Sequence, residues 1–252
     1  MKAVMDNISV VLVGIRNSGN IGSAARAMKN CGVGRMVLVD PPPLDTPDVR
    51  KLAWASLDIV RDARVCATLE EALGECGLVV GTTRRKGRGR RPVVDLRRAL
   101  PRIAAATKKN KVAILFGRED KGLSNEELAF CQCAVSIPAS RAMPSLNVAQ
   151  AVMVVLHEIF EYASSDHVEQ PAGLVSQELL LQLYARIEAA LAGIGFKDEG
   201  DRKVLRSVMK TLKRIFGRSG IADDEWRALH GICQQIEHYV RESSPTGEGE
   251  GA

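Results

Sequence analysis

Apolar and polar positions along this chain follow two rhythms, and the change falls near residue 164. Before it, short β-branched runs alternate with segments of helical period. The runs are Ile8–Gly14, Arg35–Asp40, Ala63–Ala67, Leu78–Thr82, Val112–Phe116 and Ala134–Ile137. Between them the spacing predicts helices over Ile21–Cys31, Leu69–Cys76, Val93–Ala106, Glu126–Cys131 and Asn147–Tyr162. Strands that are apolar almost without a break are covered on both sides. The pattern therefore predicts an α/β fold, a mostly parallel sheet with helices on both faces. Gly32 follows the first helix where a glycine closes a C-terminus cheaply.

After Tyr162 the strand rhythm stops. Ser164–Gly173 is polar, carries a proline and reads as a linker. Only helical spacing follows, over Ser176–Ala192, Asp201–Arg218 and Asp223–Arg241. Ser176 is placed to cap the first of these, with Leu179, Leu180, Leu183 and Ile187 as its inward stripe. Ser243–Ala252 has too little apolar surface to fold. The expected organisation is an α/β domain over 1–163, a linker over 164–174, a small all-α domain over 175–242 and a disordered tail over 243–252.

Composition narrows the function classes. A chain of 252 residues with 46% hydrophobic positions can bury a sizeable core. Aromatics at 4% argue against an aromatic stacking platform for RNA. A net charge of +5 suits a nucleic-acid partner. The cysteines are scattered without a CxxC pair, and His157, His167, His230 and His238 do not cluster with carboxylates or thiols. No zinc site and no His-based hydrolase is expected. Asp6 and Asn7 interrupt any signal-peptide pattern, and no run approaches the length of a membrane span. A soluble cytoplasmic protein is expected, without a metal and without a membrane partner.

Three strand-to-helix junctions carry the candidate chemistry. The first, Asn17–Met28, resembles a dinucleotide-binding turn, with Asp40 ending the next strand. Its glycines, Gly14, Gly19 and Gly22, lack the G-x-G-x-x-G spacing. Asn20 stands where a helix N-cap belongs, and Arg26 is the lone charge in a small, apolar stretch of the helix. A solvent-facing arginine is the plain alternative. The second, Leu115–Leu128, has the two-glycine spacing of a P-loop, but Leu123 replaces the lysine, which disfavours an NTPase. Gly117 lets a ligand approach the backbone, Glu119 can accept hydrogen bonds, and Ser124 with Glu127 forms a capping box. The third, Ile137–Ala151, holds a loop between Pro138 and Pro144, then Ser145 and Asn147 as cap candidates for an apolar helix. Such a rigid loop can hold an adenine or a methionine moiety.

Taken in order, these junctions resemble the TrmH-like family of SPOUT-class RNA 2′-O-ribose methyltransferases. N-x-G-x-x-x-R is present as Asn20, Gly22 and Arg26; F-G-x-E-x-x-G-L as Phe116, Gly117, Glu119, Gly122 and Leu123; I-P…S-L-N as Ile137, Pro138, Ser145, Leu146 and Asn147. The start NIGSAARAMKNCG and the segment Gly195–Arg218 are similar to the TrmJ-type subgroup. The resemblance implies a deep trefoil knot near the end of the first domain. It implies S-adenosylmethionine bound there by Thr82, Thr83, Phe116, Gly117, Glu119, Gly122, Ile137, Ser145 and Leu146. It implies a homodimer in which Arg26 faces the partner's cofactor, and tRNA as substrate, methylated on the ribose of anticodon-loop nucleotide 32. The family proposal makes Arg26 the base for the 2′-hydroxyl. Guanidinium groups keep their proton to above about pH 12, so a bidentate clamp on the neighbouring phosphate is the better role. Asn20 and Ser145 would then orient the hydroxyl, Glu119 would hold Arg26 or the loop, and Asn147 would fix the backbone.

Two basic elements complete the reading. Arg84, Arg85, Lys86, Arg88, Arg90 and Arg91 crowd a glycine-bearing loop. Lys203, Arg206, Lys210, Lys213, Arg214 and Arg218 share one helical face, with no acid from Arg202 to Ser219. Both read as RNA-phosphate contacts, against the alternative of solvated charge. A non-catalytic RNA-binding protein, ribosomal RNA as substrate and an NAD-dependent oxidoreductase are the other readings.

Overall fold

The computed structural model describes residues 2–84, 93–164, 173–199 and 202–243. Seven strands build one sheet: β1 (Ile8–Val13), β2 (Arg35–Val39), β3 (Arg64–Cys66), β4 (Cys76–Thr82), β5 (Val93–Asp95), β6 (Lys111–Phe116) and β7 (Cys133–Ser136). Their order is β3-β2-β1-β6-β4-β7-β5, and every pairing is parallel. The last two strands are inserted between earlier ones, β6 between β1 and β4, and β7 between β4 and β5.

The helices are α1 (Lys2–Asp6), α2 (Ser18–Asn30), α3 (Pro47–Ala53), α4 (Leu57–Arg61), α5 (Leu69–Leu73), α6 (Leu96–Thr107), α7 (Asn125–Ala129) and α8 (Val148–Ser164), followed by α9 (Gln177–Gly193), α10 (Val204–Ser219) and α11 (Asp223–Ser243). Alternation within the strands divides the core in two. Val10 and Leu12 of β1, with Ile114 and Phe116 of β6, pack beneath α2, α6 and α8. Val11 and Val13, with Ala113 and Leu115, face the other way onto α5 and α7. A central strand thus uses both its faces, which is why its sequence has no polar phase.

Several boundaries differ from those expected. The predicted helix over Val93–Ala106 begins as edge strand β5 and turns helical at Leu96, where the Asp95 side chain caps it. α3 and α4 went unpredicted. Thr46, whose side chain accepts from the Val49 amide, and Pro47 at the start of α3 are the local signals that mark it. The expected cap at Asn20 is also corrected. Asn17 caps α2 through the Gly19 amide, and Asn20 lies inside the first turn with its side chain bonded elsewhere. Arg202–Lys203, expected as helix, forms β9 of a small antiparallel hairpin with β8 (Asp198–Glu199).

The chain divides into two compact units, one through Glu178 and one from Leu179. Residues 165–172 of the expected linker and the expected tail from 244 onward lie outside the described residues. Within the first unit, the segment after Gly173 returns to the sheet. Leu174 donates to Asn110 Oδ1, and Glu178 donates to the Gly74 carbonyl. Buried Gln177 donates to the Phe130 carbonyl and accepts from Gln132, whose carbonyl oxygen takes the Val79 amide of β4. In the second unit, Arg186 forms a two-pronged pair with Glu237 and lies against His230, which stacks on Trp226.

Candidate active site

The carboxyl ends of β4, β6 and β7 open onto one cleft. Thr82 and Thr83 reach it from β4, Phe116 to Gly122 from the loop after β6, and Ile137 from the end of β7. Pro144, Ser145, Leu146, Val148 and Ala151 close it from the approach to α8 and its first turn. The nine residues expected to hold a cofactor all line this cleft. Arg118, Asp120 and Lys121 line it too and were missed, although they lie inside the second motif, where a charged residue beside a loop glycine is the available signal.

The loop after β6 is shaped by its own backbone. The Gly122 amide donates to the Arg118 carbonyl at 2.8 Å, and Gly122 has φ +64°. A Cβ on Gly117 would lie 2.2 Å from the Gly122 carbonyl carbon and 2.3 Å from the Leu123 nitrogen. Gly117 is therefore required by the loop's own closure, not only by a ligand's approach. The capping box at α7 is present, since Ser124 and Glu127 exchange side-chain and backbone bonds. Glu127 also takes Arg118 at 2.8 Å. The Arg118 guanidinium occupies the space a side chain at Gly14 would need.

Glu119 joins two of the three motifs. Its carboxylate accepts from the Arg16 and Asn17 amides, both at 3.2 Å, and from Asn20 Nδ2 at 2.8 Å. Burial alone would raise its pKa. The Asn20 amide and the backbone donors outweigh burial and hold it below the usual carboxylate range. Asn147 brings in the third motif, donating to Asn20 Oδ1 at 2.9 Å. Its own Oδ1 accepts from the Ala149 amide and its backbone amide donates to Gln150 Oε1, both residues in the first turn of α8. Asn147 is the realised cap, while Ser145 stands exposed at the cleft's edge. Thr82 Oγ1 donates to the Leu115 carbonyl, and the Thr83 amide to Val135, which ties β4 to the strands on either side of it.

Arg26 is not brought to this cleft. It is exposed on α2, with its guanidinium 5.6 Å from the centre of the Trp54 ring, and it makes no bond to Glu119. Of the first basic element, Arg84 lines the cleft, whereas Arg85, Lys86, Arg88, Arg90 and Arg91 lie outside the described residues. On α10, Arg206 pairs with Asp198 at 2.9 Å and Lys213 lies 5.4 Å from the Tyr184 ring centre. Lys210 and Arg214 are exposed, and the side chains of Lys203 and Arg218 lie outside the described residues. Among the described residues no metal-holding group of histidine, cysteine or carboxylate occurs, and no helix is long and apolar enough to cross a membrane.

A family model described as the SpoU rRNA Methylase family matches residues 7–157. A second, described as the C-terminal domain of tRNA methyltransferase TrmJ, matches residues 178–245. The tRNA (cytidine/uridine/adenosine-2′-O-)-methyltransferase TrmJ of Pseudomonas aeruginosa is 38% identical over 255 residues, spanning 94% of this chain and 96% of its own. The tRNA (cytidine/uridine-2′-O-)-methyltransferase TrmJ of Sodalis glossinidius is 35% identical, spanning 98% of both. The crystal structure of TrmJ from Z. mobilis superposes with a TM-score of 0.74 at 29% identity, over 91% of this chain and 98% of that one. By its cleft-bearing sheet and its C-terminal helices alike, the chain belongs to the SpoU methylase family, in the TrmJ subgroup.

Proposed function

We propose that the protein transfers a methyl group from S-adenosylmethionine to a ribose 2′-hydroxyl of tRNA, at anticodon-loop nucleotide 32. The observation that carries this reading is that the second and third motifs, distant in sequence, line one cleft, and that the first is tied to both of them, Asn20 being bonded to Glu119 and to Asn147. The TrmJ relatives, named as tRNA 2′-O-methyltransferases, support the reaction and substrate class.

The cleft fits such a cofactor. Ile137, Leu146, Val148 and Ala151 offer an apolar wall for a planar base, and Thr82, Thr83 and Ser145 offer hydroxyls. When bound, the cofactor would supply an activated methyl on sulfur: the ribose oxygen would bond to that methyl carbon in line as its bond to sulfur breaks, the thioether leaving and the hydroxyl proton passing to solvent. The chain supplies position. Glu119 fixes the start of α2 against the cleft loop, and Asn147 fixes the start of α8 against α2. Ser145, exposed at the edge, is free to meet the ribose. Arg26 clamps the adjoining phosphate with a two-pronged hydrogen bond. Since Arg26 lies away from its own cleft, the reading includes a homodimer in which each copy lends Arg26 to the other's site. It also includes a trefoil knot, to which the insertion of β6 and β7 between earlier strands lends support. Arg84 with the basic loop, and Lys210 with Arg214 on α10, would hold RNA phosphates.

The test is transfer of labelled methyl from S-adenosylmethionine to unmodified total tRNA, with the labelled nucleotide mapped. Label as a 2′-O-methyl at nucleotide 32 is the expected result. Cofactor binding without transfer to tRNA would overturn the substrate, and ribosomal RNA would then be tested. Failure to bind the cofactor would overturn the activity.

A further inference from the structure

Trp54 is held in a conformation and a setting that its own packing does not account for. It follows α3 with φ 44° and ψ −114°, a backbone shape that favours glycine and strains an L-residue. The residue is 70% exposed, so burial does not repay the strain. What the ring does touch is Arg26, whose guanidinium lies 5.6 Å from its centre. Among the described residues Arg26 has no hydrogen bond or ion pair, so this is its holding contact.

Residues on both sides of Arg26 bring the ring there. Gly22, one turn before Arg26 on the same face of α2, admits the α3 backbone: a Cβ would lie 2.8 Å from the Val49 carbonyl oxygen and 3.0 Å from the Ala53 nitrogen. Lys29, one turn after, donates to the Ala55 carbonyl at 2.8 Å and to both carboxylate oxygens of Asp58. The segment carrying Trp54 is thus anchored to α2 just before and just after the tryptophan. Gly22, Arg26 and Lys29 form one stripe, and the indole lies across its middle.

We propose that Trp54 is a positioning residue for Arg26, holding the guanidinium over the indole face so that it meets the RNA phosphate already oriented. This rests on the methyltransferase reading given above. A flexible arginine on an exposed helix face would have to be ordered during the reaction, and the ring does that ordering beforehand.

The test compares Trp54→Gly with Trp54→Phe, using the full chain, S-adenosylmethionine and a tRNA substrate. Glycine relieves the strained backbone, so Trp54→Gly should melt at or above the wild-type temperature. Its kcat should nevertheless fall about three- to fivefold, with the KM for tRNA unchanged. Phenylalanine keeps a ring face and should restore kcat to within about twofold of wild type. A Trp54→Gly protein with wild-type kcat would overturn the proposal, as would a folded Trp54→Phe protein as slow as the glycine variant. The contact is read separately by fluorescence. Trp54 and Trp226 are the chain's two tryptophans, so in a Trp226→Phe background Arg26→Ala should shift the Trp54 emission. No shift would overturn the contact. If the wild-type protein transfers no methyl group, the functional reading fails and this inference falls with it, while the emission shift still reports whether the contact exists.

Discussion

The cleft in the first unit and the basic face of α10 in the second use polar side chains in opposite ways. Beside the cleft, Glu119, Asn20 and Asn147 are spent on one another, and Ser145 stands exposed at its edge. On α10 the basic residues are many. Two of those the sequence assigns to RNA already have partners, Arg206 on Asp198 and Lys213 over Tyr184. A reaction centre needs geometry fixed beforehand, so its polar groups hold the scaffold. A phosphate-tracking face needs charge more than geometry, and tolerates a share of its cations being engaged.

The largest expected effect breaks the comparison from the side of chemistry. Arg26→Ala should lower methyl transfer by about a hundredfold or more, measured under single turnover, since one well-placed donor is commonly worth that much. Thermal stability should hardly move, because Arg26 is exposed. Arg26→Lys keeps the charge and loses the fork, and substantial activity there would rule out the two-pronged clamp.

Gly117→Ala comes next. The added carbon would fall on the Gly122–Leu123 backbone, so the loop must open. A loss of about 2–3 kcal/mol in denaturant stability and loss of cofactor binding by calorimetry are expected. The sequence showed that this glycine matters but not why. A strand followed by glycine reads the same whether the neighbour is a ligand or the loop itself. The same limit applies across the fold. β1 and β6 were legible because unbroken apolar runs, Val10–Val13 and Val112–Phe116, suit a strand buried on both faces. β5 was not, because three residues running straight into a helix carry no period of their own. At the site, the motifs located Asn20, Glu119 and Asn147, but their mutual bonds span about a hundred residues of sequence and leave no local trace.

Glu119→Gln should cost about 1–2 kcal/mol, since an amide side chain offers one acceptor oxygen where the carboxylate offers two. Its pH dependence has a definite sign. The folded-state pKa of Glu119 lies below the unfolded value of about 4.3, so its stabilisation is fully present above that pH and is lost as pH falls through the folded value. Melting temperatures of wild type and Glu119→Gln should therefore converge on acidification. A gap that stays constant as the solution is acidified from neutral to well below the ordinary carboxylate range would remove the charge from the argument.

The smallest effect sharpens the comparison from the side of charge. Lys210→Glu should weaken tRNA binding and flatten its dependence on salt by about one to two counterions. Arg206→Ala should change that slope less, because Asp198 already balances it. Equal slopes for the two variants would mean that the pairing seen in the free protein does not persist on RNA.

The buried glutamine pair carries a practical consequence for dissecting the molecule. Gln132 is satisfied on both sides only when Gln177 is present, and the Asn110 and Gly74 acceptors are likewise filled by Leu174 and Glu178. A chain ended after α8 would strip the partners from a buried amide next to β4, the strand that delivers Thr82 and Thr83 to the cleft. The shortest fragment that keeps its own interior whole is then set by a hydrogen bond rather than by the last sheet-packing helix, and it runs through Glu178.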